Sequence, residues 1–294
     1  MTLEWSLRME VQNLRAFLMV ADNASFSAAA EALHLTQPAV SKRVAALESQ
    51  LGASLFDRVG RQVQLTEAGR ALIPHALAIT RNLDQAVQSI QDLSGEVSGR
   101  LRLATSHHIG LHRLPPVLRR FSEAYPGVAL DIEFLDSEQA YDEIARGNSE
   151  LAVVTLAPET DASLVAEPVW PDPLDFMVVE GHPLAERGAL TLEALCEYPV
   201  ILPGGGTYTG QIVRRLFDRR SLKLDVALST NYLETIRMMA TIGLGWTLLP
   251  RSMLQAPLLA LDLPEETPER TLGLLYHRRR SLSNAAQAFI SLLN

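Results

Sequence analysis

The sequence predicts an α/β protein that begins with a winged helix-turn-helix, continues into a long helix and ends in a larger α/β domain. At 294 residues the chain exceeds what one hydrophobic core usually supports, so two or more domains are expected. Apolar residues recur at helical spacing through most of residues 11–93. From Arg100 onward, strand-like runs alternate with helical stretches, which is typical of a parallel α/β fold.

The N-terminal elements surround a helical hairpin. Residues 1–8 fit no later pattern, so we interpret them as a loose extension, with translation starting at Met1 or at Met9. An apolar helical face then predicts a supporting helix that packs beneath the hairpin. Its residues are Val11, Leu14, Phe17, Leu18 and Ala21.

The stretch Ser25–Leu51 has the pattern of a DNA-binding helix-turn-helix. Its first helix carries small alanines that allow close helix packing, and His34-Leu35 interrupts it. Thr36 is the predicted N-cap of the second helix. The exposed N-terminal end of this helix would meet base edges and phosphates in a major groove. The candidate contacts are Ser27, Thr36, Gln37, Pro38, Ser41, Lys42 and Arg43. The alternative is an ordinary helical hairpin whose polar face is solvated.

A β-ribbon and a long helix follow. Residues 55–65 predict a two-stranded wing with Gly60 at its turn, and Arg58 and Arg61 are placed to reach the DNA backbone or minor groove. Glu67 to about Leu93 predicts a helix capped by Thr66 and interrupted by Pro74. Its apolar residues have the alternating spacing of a heptad seam, which favours pairing with a second copy over packing on its own domain. They are Leu72, Ala76, Ile79, Leu83, Ala86, Ile90 and Leu93.

The remaining strands are read from apolar runs between helical stretches. A strand at residues 101–105 and a helix through about Ala124 open the domain. The later strands are predicted at 128–135, 151–156, 175–179, 200–203, 224–229, 246–249 and 272–276.

Composition limits the classes of function. The net charge is −8, which argues against a nonspecific nucleic-acid coat, but residues 34–66 hold four cations and two acids, a local charge of +2. Affinity for DNA should therefore come from a few placed contacts. Cys196 is the only cysteine, which excludes an intrachain disulfide, and no apolar run is long enough for a membrane helix. We expect a cytoplasmic protein.

In motif order and spacing the chain resembles the LysR-type transcriptional regulators. The match is carried by residues 13–17, 25–30, 35–41, 47–52, 55–58 and 65–69. The family usually has glycine before its Ser-Phe pair, where this chain has Ala24. Two later segments, 181–185 and 243–250, look like landmarks of the family's regulatory domain.

The resemblance implies the domain organisation and the partners. It gives a DNA-binding domain at residues 9–66, a dimerisation helix at 67–94, a hinge at 95–99 and an effector-binding domain at 100–294. That domain has two subdomains, about 100–165 with 270–294 and about 166–269, like periplasmic binding proteins. The implied partners are promoter DNA, a small-molecule effector, a dimer of dimers and RNA polymerase as a further candidate. Activation is the mode suggested, although the residues do not show its direction.

Enzyme motifs are absent, since no nucleophile elbow, nucleotide loop or zinc-protease motif occurs. No catalytic residue or cofactor is therefore assigned. His108 and His112 have metal-ligand spacing, but no acidic or thiol partner lies nearby in sequence, so we assign no metal.

Two segments that open helices after strands are the candidate effector site. Free amide hydrogens at helix N-termini favour an anion. The candidate residues are Thr105, Ser106, His107, His108, Gly206, Tyr208 and Thr209. Capping or packing is the alternative for the histidine segment. Hydroxyl residues similar to Thr209 bind sulfate-like anions in sulfur-regulating family members, so carboxylates, sulfite, sulfate and thiosulfate all remain candidates.

These observations favour a LysR-type regulator that senses a small anionic metabolite and is not an enzyme. The alternative is a small-molecule-binding protein or enzyme whose N-terminal domain makes protein contacts.

Overall fold

The computed structural model describes residues 9–59, 62–188, 190–264 and 268–293. The chain forms two compact units, of which the first extends to Gln91 and the second begins at Asp92. The proposed loose extension of residues 1–8, and the wing turn that includes Arg61, lie outside the described residues.

The first unit contains the predicted helical hairpin and wing. Its helices are α1 (Val11–Asn23), α2 (Phe26–Ala32), α3 (Gln37–Leu51) and α4 (Glu67–Gln91). Its strands, β1 (Phe56–Val59) and β2 (Gln62–Leu65), pair antiparallel with Phe56 opposite Leu65. The core between the helices is closely packed by Phe17, Val40 and Leu47, none of which exposes measurable surface.

Local backbone chemistry sets the hairpin geometry. Ser25 caps α2 by accepting a hydrogen bond from the Ala28 amide at 3.3 Å. The residue before it, Ala24, has φ 47° and so lies in the left-handed region. That conformation explains why glycine is usual at this place in the family, because glycine alone adopts it without steric cost.

The wing is joined to the helices by hydrogen bonds at its base. Glu48 Oε1 accepts from the Leu55 amide at 2.7 Å. Thr66 donates to the Ser54 carbonyl at 2.7 Å and accepts from the Gly69 amide at 3.0 Å, so it caps α4 as predicted. A Cβ on Gly69 would lie 2.2 Å from the Leu55 carbonyl oxygen, so this position requires glycine.

Helix α4 emerges from the first unit with its apolar side uncovered. Pro74 lies inside the helix, which continues to Gln91 and is followed by a short 3-10 turn at Asp92–Ser94. Ala76 is buried in the core, whereas Leu83, Ile90 and Leu93 are 42%, 71% and 85% exposed. The N-terminal part of the predicted seam therefore packs on its own unit, and the remainder does not.

The second unit is a mixed α/β sheet with helices on both faces. Its strands are β3 (Gly99–Thr105), β4 (Val128–Phe134), β5 (Leu151–Thr155), β6 (Leu164–Val179), β7 (Val200–Leu202), β8 (Val226–Ser229), β9 (Trp246–Pro250), β10 (Leu258–Ala260) and β11 (Glu269–His277). Its helices are α5 (His107–His112), α6 (Pro115–Ala124), α7 (Ser137–Arg146), α8 (Pro183–Glu186), α9 (Leu192–Leu195), α10 (Tyr208–Asp218), α11 (Leu233–Thr241) and α12 (Asn284–Leu293).

The sheet has two halves joined by two long strands. The strand order is β4-β3-β5-β11-β6-β9-β7-β8, with β10 paired to β6. Strands within each half run parallel, at β4-β3-β5 and at β9-β7-β8. Strands β6 and β11 pair antiparallel with each other and with their outer neighbours. Each half has its own apolar core, one around Phe121 and Phe289 and the other around Phe176 and Trp246.

The main differences from the sequence prediction lie in the direction of the strands, the start of β6 and the helix before Ala124. The sheet is mixed rather than wholly parallel, because β6 and β11 cross between the halves in opposite directions. Strand β6 begins 11 residues earlier than predicted, at Leu164. The predicted helix through Ala124 is two helices, because Pro115 cannot donate the amide hydrogen that would continue α5.

The predicted hinge, residues 95–99, belongs to the second unit and is hydrogen-bonded to Asn284 at the start of α12. Asn284 Nδ2 donates to the carbonyl oxygens of Asp92 at 2.9 Å and Glu96 at 3.1 Å.

In the described part of the chain, no helix is both long and apolar enough to cross a membrane.

Candidate nucleic-acid interface and ligand cleft

The N-terminal end of α3 presents a polar surface. Gln37, Pro38 and Lys42 are exposed, Thr36 occupies the N-cap without a side-chain cap hydrogen bond, and Ser41 is half-buried. Gln37 Nε2 donates to Ser41 Oγ at 3.2 Å. This contact orients the amide, whose remaining donor and acceptor stay available to a base edge.

The cations at this surface differ in their surroundings. Arg43 Nη2 donates to Gln12 Oε1 of α1 at 2.8 Å, which fixes the half-buried guanidinium against the supporting helix. Ser27 of α2 is exposed. Arg58 belongs to β1, but its side chain, like the whole of Arg61, lies outside the described residues.

The second unit contains a cleft between the two halves of the sheet, with an empty volume of about 470 Å³ that includes its opening to solvent. Four helices, α5, α7, α10 and α11, contribute their N-terminal ends to it, and each follows a parallel strand. Its lining comprises Ser106, His107, His108, Asp136, Ser137, Glu138, Thr155, Pro203, Thr207, Tyr208, Thr209, Asn231, Leu233 and Arg270. Open α/β sheets bind ligands at such places because the helix N-termini supply free amide hydrogens.

Arg270 is the buried cation of the cleft. It is only 5% exposed, and its Nε donates to Asp172 Oδ2 at 2.6 Å while Nη1 donates to Thr209 Oγ1 at 3.0 Å. Arg113 also donates to Asp172, at 3.1 Å. Two cations thus share one carboxylate, and Arg270 Nη2 has no hydrogen-bond partner among the residues that the structure describes.

Two carboxylates accept hydrogen bonds from residues on the opposite side of the cleft. Glu138, in the first turn of α7, accepts a hydrogen bond from the Tyr208 amide at the start of α10. Asp136 caps α7 and also accepts from Asn231 Nδ2 at 2.6 Å. Burial raises the pKa of Glu138, and burial together with Tyr141 and Glu138 raises the pKa of Tyr208 to about 12.

The histidines at the start of α5 have separate environments. His107 stacks on Phe134, with ring centroids 5.4 Å apart, and meets the ring of Tyr232 edge-on. His108 is 4% exposed, and burial, with a further contribution from Arg270, lowers its pKa, so its imidazole is held neutral. Ser106 is the N-cap of α5, but its hydroxyl makes no cap hydrogen bond.

Comparison with known proteins identifies the family. Residues 94–294 match the model of the LysR substrate binding domain, and residues 11–70 match that of the bacterial regulatory helix-turn-helix protein, lysR family. The chain belongs to the LysR family of transcriptional regulators. It is therefore a DNA-binding regulator with an effector-binding domain and not an enzyme.

Individual relatives span nearly the whole chain of this LysR-type regulator. The uncharacterized HTH-type regulator YeiE of Escherichia coli K12 is 32% identical over 97% of both chains. The activator CmpR of Synechocystis is 30% identical over 96% of this chain and 94% of its own. The solved structure of full-length CbnR in complex with its target DNA has a TM-score of 0.73 at 18% identity, covering 97% of this chain and 98% of that one, which shows the shared fold.

Two of the candidate effector residues of this LysR-type regulator lie outside the cleft lining. Thr105 is completely buried, and its hydroxyl donates to the Val153 carbonyl at 2.8 Å, so it connects neighbouring strands. Gly206 is exposed, and its carbonyl accepts from Gln211. Ser106, His107, His108, Tyr208 and Thr209 all line the cleft.

Other lining residues were missed by sequence reasoning. Asp136 had a usable signal, because Asp136 and Gln139 form a capping box directly after a strand. Thr155 ends β5, and Asn231 follows β8, so their place at strand ends was a weaker signal. Arg270 had none, because nothing in its local sequence shows that β11 brings it next to Asp172.

Proposed function

We propose that this LysR-type regulator binds promoter DNA through α3 and the wing, and that a small metabolite with an anionic group binds in the cleft to change transcription. The DNA-contact residues in this proposal are those predicted from the sequence: Ser27, Thr36, Gln37, Pro38, Ser41, Lys42, Arg43, Arg58 and Arg61. The effector residues are Ser106, His107, His108, Tyr208, Thr209 and, from the structure, Arg270.

The unpartnered Nη2 of Arg270 is the observation that supports an anionic group. A buried guanidinium donor without a partner is unfavourable, and an anion that accepts its hydrogen bond would remove that cost. Thr209 lies next to it, and Ser106 offers an uncommitted hydroxyl at the N-terminal end of α5. These groups suit a carboxylate or a sulfur oxyanion.

The carboxylates of Asp136 and Glu138 oppose an anion by charge. Glu138 already occupies the Tyr208 amide, which is one of the helix donors that an incoming anion would use. We infer that the effector displaces Glu138 from this amide. The cleft would then hold the effector's acidic group near Arg270, and its remaining hydrogen-bond donors would face Asp136 and Glu138.

The assembly is inferred from the uncovered part of α4 and from the family. Pairing of α4 between two chains would cover Leu83 and Ile90. A dimer of such dimers would present four DNA-binding units, and effector binding would change their spacing and the promoter bend. Activation is proposed because the similar CmpR is named an activator. RNA polymerase is then a further partner.

The experiment for DNA recognition uses the full chain and an operator that the wild-type protein selects from random DNA. Gln37→Ala and Ser41→Ala should each weaken operator binding by about 1–3 kcal/mol, the usual effect of losing a good base contact. Because the two side chains are hydrogen-bonded, the double variant should lose less than the sum. Competition gel shifts against random DNA measure these ratios.

Ser49→Ala is the matched control, since Ser49 is exposed near the other end of α3. It should leave the ratio of specific to random affinity unchanged. An unchanged ratio in Gln37→Ala and Ser41→Ala as well would show that α3 does not read the bases. Absence of any selected sequence would contradict promoter binding by this chain.

A further inference from the structure

Three side chains with metal-binding chemistry meet beside the cleft. His108 and His112 lie one turn apart on α5, and Glu234 approaches them from the first turn of α11 in the other half of the unit. Glu234 Oε1 lies 2.8 Å from His112 Nε2 and 3.5 Å from His108 Nδ1. One ligand atom from each residue can be chosen so that all three lie within 4.8 Å of one another.

His108 is not satisfied by its surroundings. Neither of its ring nitrogens has a hydrogen-bond partner within the described ranges, although the side chain is 4% exposed. The 3.5 Å separation from Glu234 is an electrostatic contact too long for a good hydrogen bond. A buried imidazole with two unpaired nitrogens is unfavourable, and a metal ion is one partner that would remove that cost.

We propose that His108, His112 and Glu234 bind a divalent transition-metal cation such as Zn²⁺. Two imidazoles and one carboxylate form a ligand set that zinc uses in proteins, with a fourth position left open. Ligand atoms around tetrahedral zinc are about 3.3 Å apart. The two contacts of Glu234 measure 2.8 and 3.5 Å, and all three ligand atoms lie within 4.8 Å of one another, so the side chains must draw closer together to complete the site.

The protonation states agree with this geometry. The pKa of His108 is lowered by burial, which keeps the ring in its neutral, ligating form. The electrostatic contact with His108 and the 2.8 Å hydrogen bond with His112 lower the pKa of Glu234 to about 2, so its carboxylate is ionised. The guanidinium of Arg270 repels a cation here, and Asp172, bonded to Arg270, offsets part of that repulsion.

Metal binding would connect the two halves of the effector domain. The two histidines belong to α5, after β3, whereas Glu234 belongs to α11, after β8. The ion would also place positive charge next to His108, which lines the cleft. The metal and an anionic effector would then each raise the affinity of the other by the same factor.

The test is calorimetric titration of chelator-treated, full-length protein with ZnCl₂ alone. The wild type should bind one Zn²⁺ per chain at this site and gain thermal stability. His112→Ala and Glu234→Gln should each lower the zinc affinity at least about tenfold and remove the gain in stability, because each deletes a direct ligand. Co²⁺ should give the visible absorption of nitrogen- and oxygen-ligated cobalt in the wild type and not in His112→Ala or Glu234→Gln.

The controls separate this site from binding elsewhere. His75→Ala removes an exposed histidine of α4 and should bind zinc like the wild type. His112 and Glu234 are partly exposed, and circular dichroism checks that their variants fold. Zinc binding that is absent from the wild type, equal in all variants, or lost equally in His75→Ala would overturn the proposal. None of these outcomes bears on DNA recognition or on the anion, which are tested without zinc.

Discussion

At the residue scale, Ala24 is a strained position between α1 and α2. An L-residue in the left-handed region costs about 1–2 kcal/mol, whereas glycine adopts it freely but loses about 0.4–1 kcal/mol more backbone entropy on folding. Ala24→Gly should therefore stabilise the DNA-binding unit by about 0.5–1 kcal/mol. Urea unfolding of the full chain, followed by hydrogen exchange of the α2 and α3 amides, measures the change.

Ala45→Gly is the matched control for Ala24→Gly. Ala45 is exposed within α3, where ordinary helical geometry makes glycine unfavourable by about 1 kcal/mol. The same substitution should therefore have opposite signs at the two positions. Destabilisation of equal size at both would show that the conformation at Ala24 carries no strain.

His108 predicts a pH dependence of effector-domain stability. Burial lowers the pKa of His108 in the folded protein below its usual value of 6.5. Below about pH 6.5 the imidazole is therefore protonated in the unfolded chain while it is still neutral in the folded one. Stability is therefore complete above that pH and falls as the pH decreases toward the native pKa. Glu234 partly opposes this loss by its contact with His108.

The measurement is melting temperature between pH 7.5 and 5 in the presence of a chelator, with the range set by the pKa of about 6.5. His108→Asn should lose less stability than the wild type as the pH falls, since asparagine does not titrate. His34→Asn is the control substitution in the other unit, where the φ of 53° also suits asparagine. Parallel curves for wild type and His108→Asn would contradict the prediction.

At the element scale, the uncovered face of α4 predicts dimerisation. Leu83→Glu or Ile90→Glu would place a charge in the paired seam, where a buried unpaired carboxylate is unfavourable. Both variants should lose the dimer and, with it, most operator affinity. Light scattering measures the mass, and gel shifts measure the binding.

Asn82→Glu is the control for the seam variants, because Asn82 is exposed on the neighbouring polar side of α4. It should leave the assembly unchanged. A wild-type mass retained by Leu83→Glu and Ile90→Glu would mean that other surfaces hold the chains together.

Comparison of the helices with the long strands shows which elements could be predicted from local sequence patterns. Helices α1 to α4 were predictable because their apolar spacing, caps and turn residues are local. The β6–β11 pairing was not, because Leu164–Leu174 contains three prolines and two charged residues that hide its strand character, and its partner lies about 100 residues later. Sequence patterns carry no direct information about such long-range pairing.

At the scale of the whole effector domain, the same limit applies to the cleft. The helix-opening residues Ser106 and Tyr208 were predictable, since each follows a strand and an anion favours such places. Arg270, Glu138 and Glu234 were not, because their contacts join elements 61, 70 and 122 residues apart. The chemistry of the cleft therefore depends on the tertiary fold more than on any local motif.

The contact between Glu138 and the Tyr208 amide predicts that Glu138 competes with an anionic effector. The carboxylate occupies a helix donor across the cleft, so an anionic effector must replace a charge-assisted hydrogen bond before it can use that donor. Glu138→Gln removes the charge, and its neutral amide oxygen accepts more weakly. The loss of about 1–1.5 kcal/mol of competing interaction should raise the affinity for the anion roughly tenfold.

Calorimetry on the full chain, without zinc, with sulfate, sulfite, thiosulfate and simple carboxylates tests this expectation. Ser106→Ala and Thr209→Ala should lower the affinity for the same anion that Glu138→Gln binds more tightly, because the hydroxyls of Ser106 and Thr209 would lie beside it. Glu143→Gln provides the control, since it makes the same substitution on α7 at a residue that does not line the cleft. A ligand can shift the domain only by its difference in affinity for the open and closed arrangements. Equal anion affinity in Glu138→Gln and Glu143→Gln would therefore show that Glu138 does not compete for the effector site.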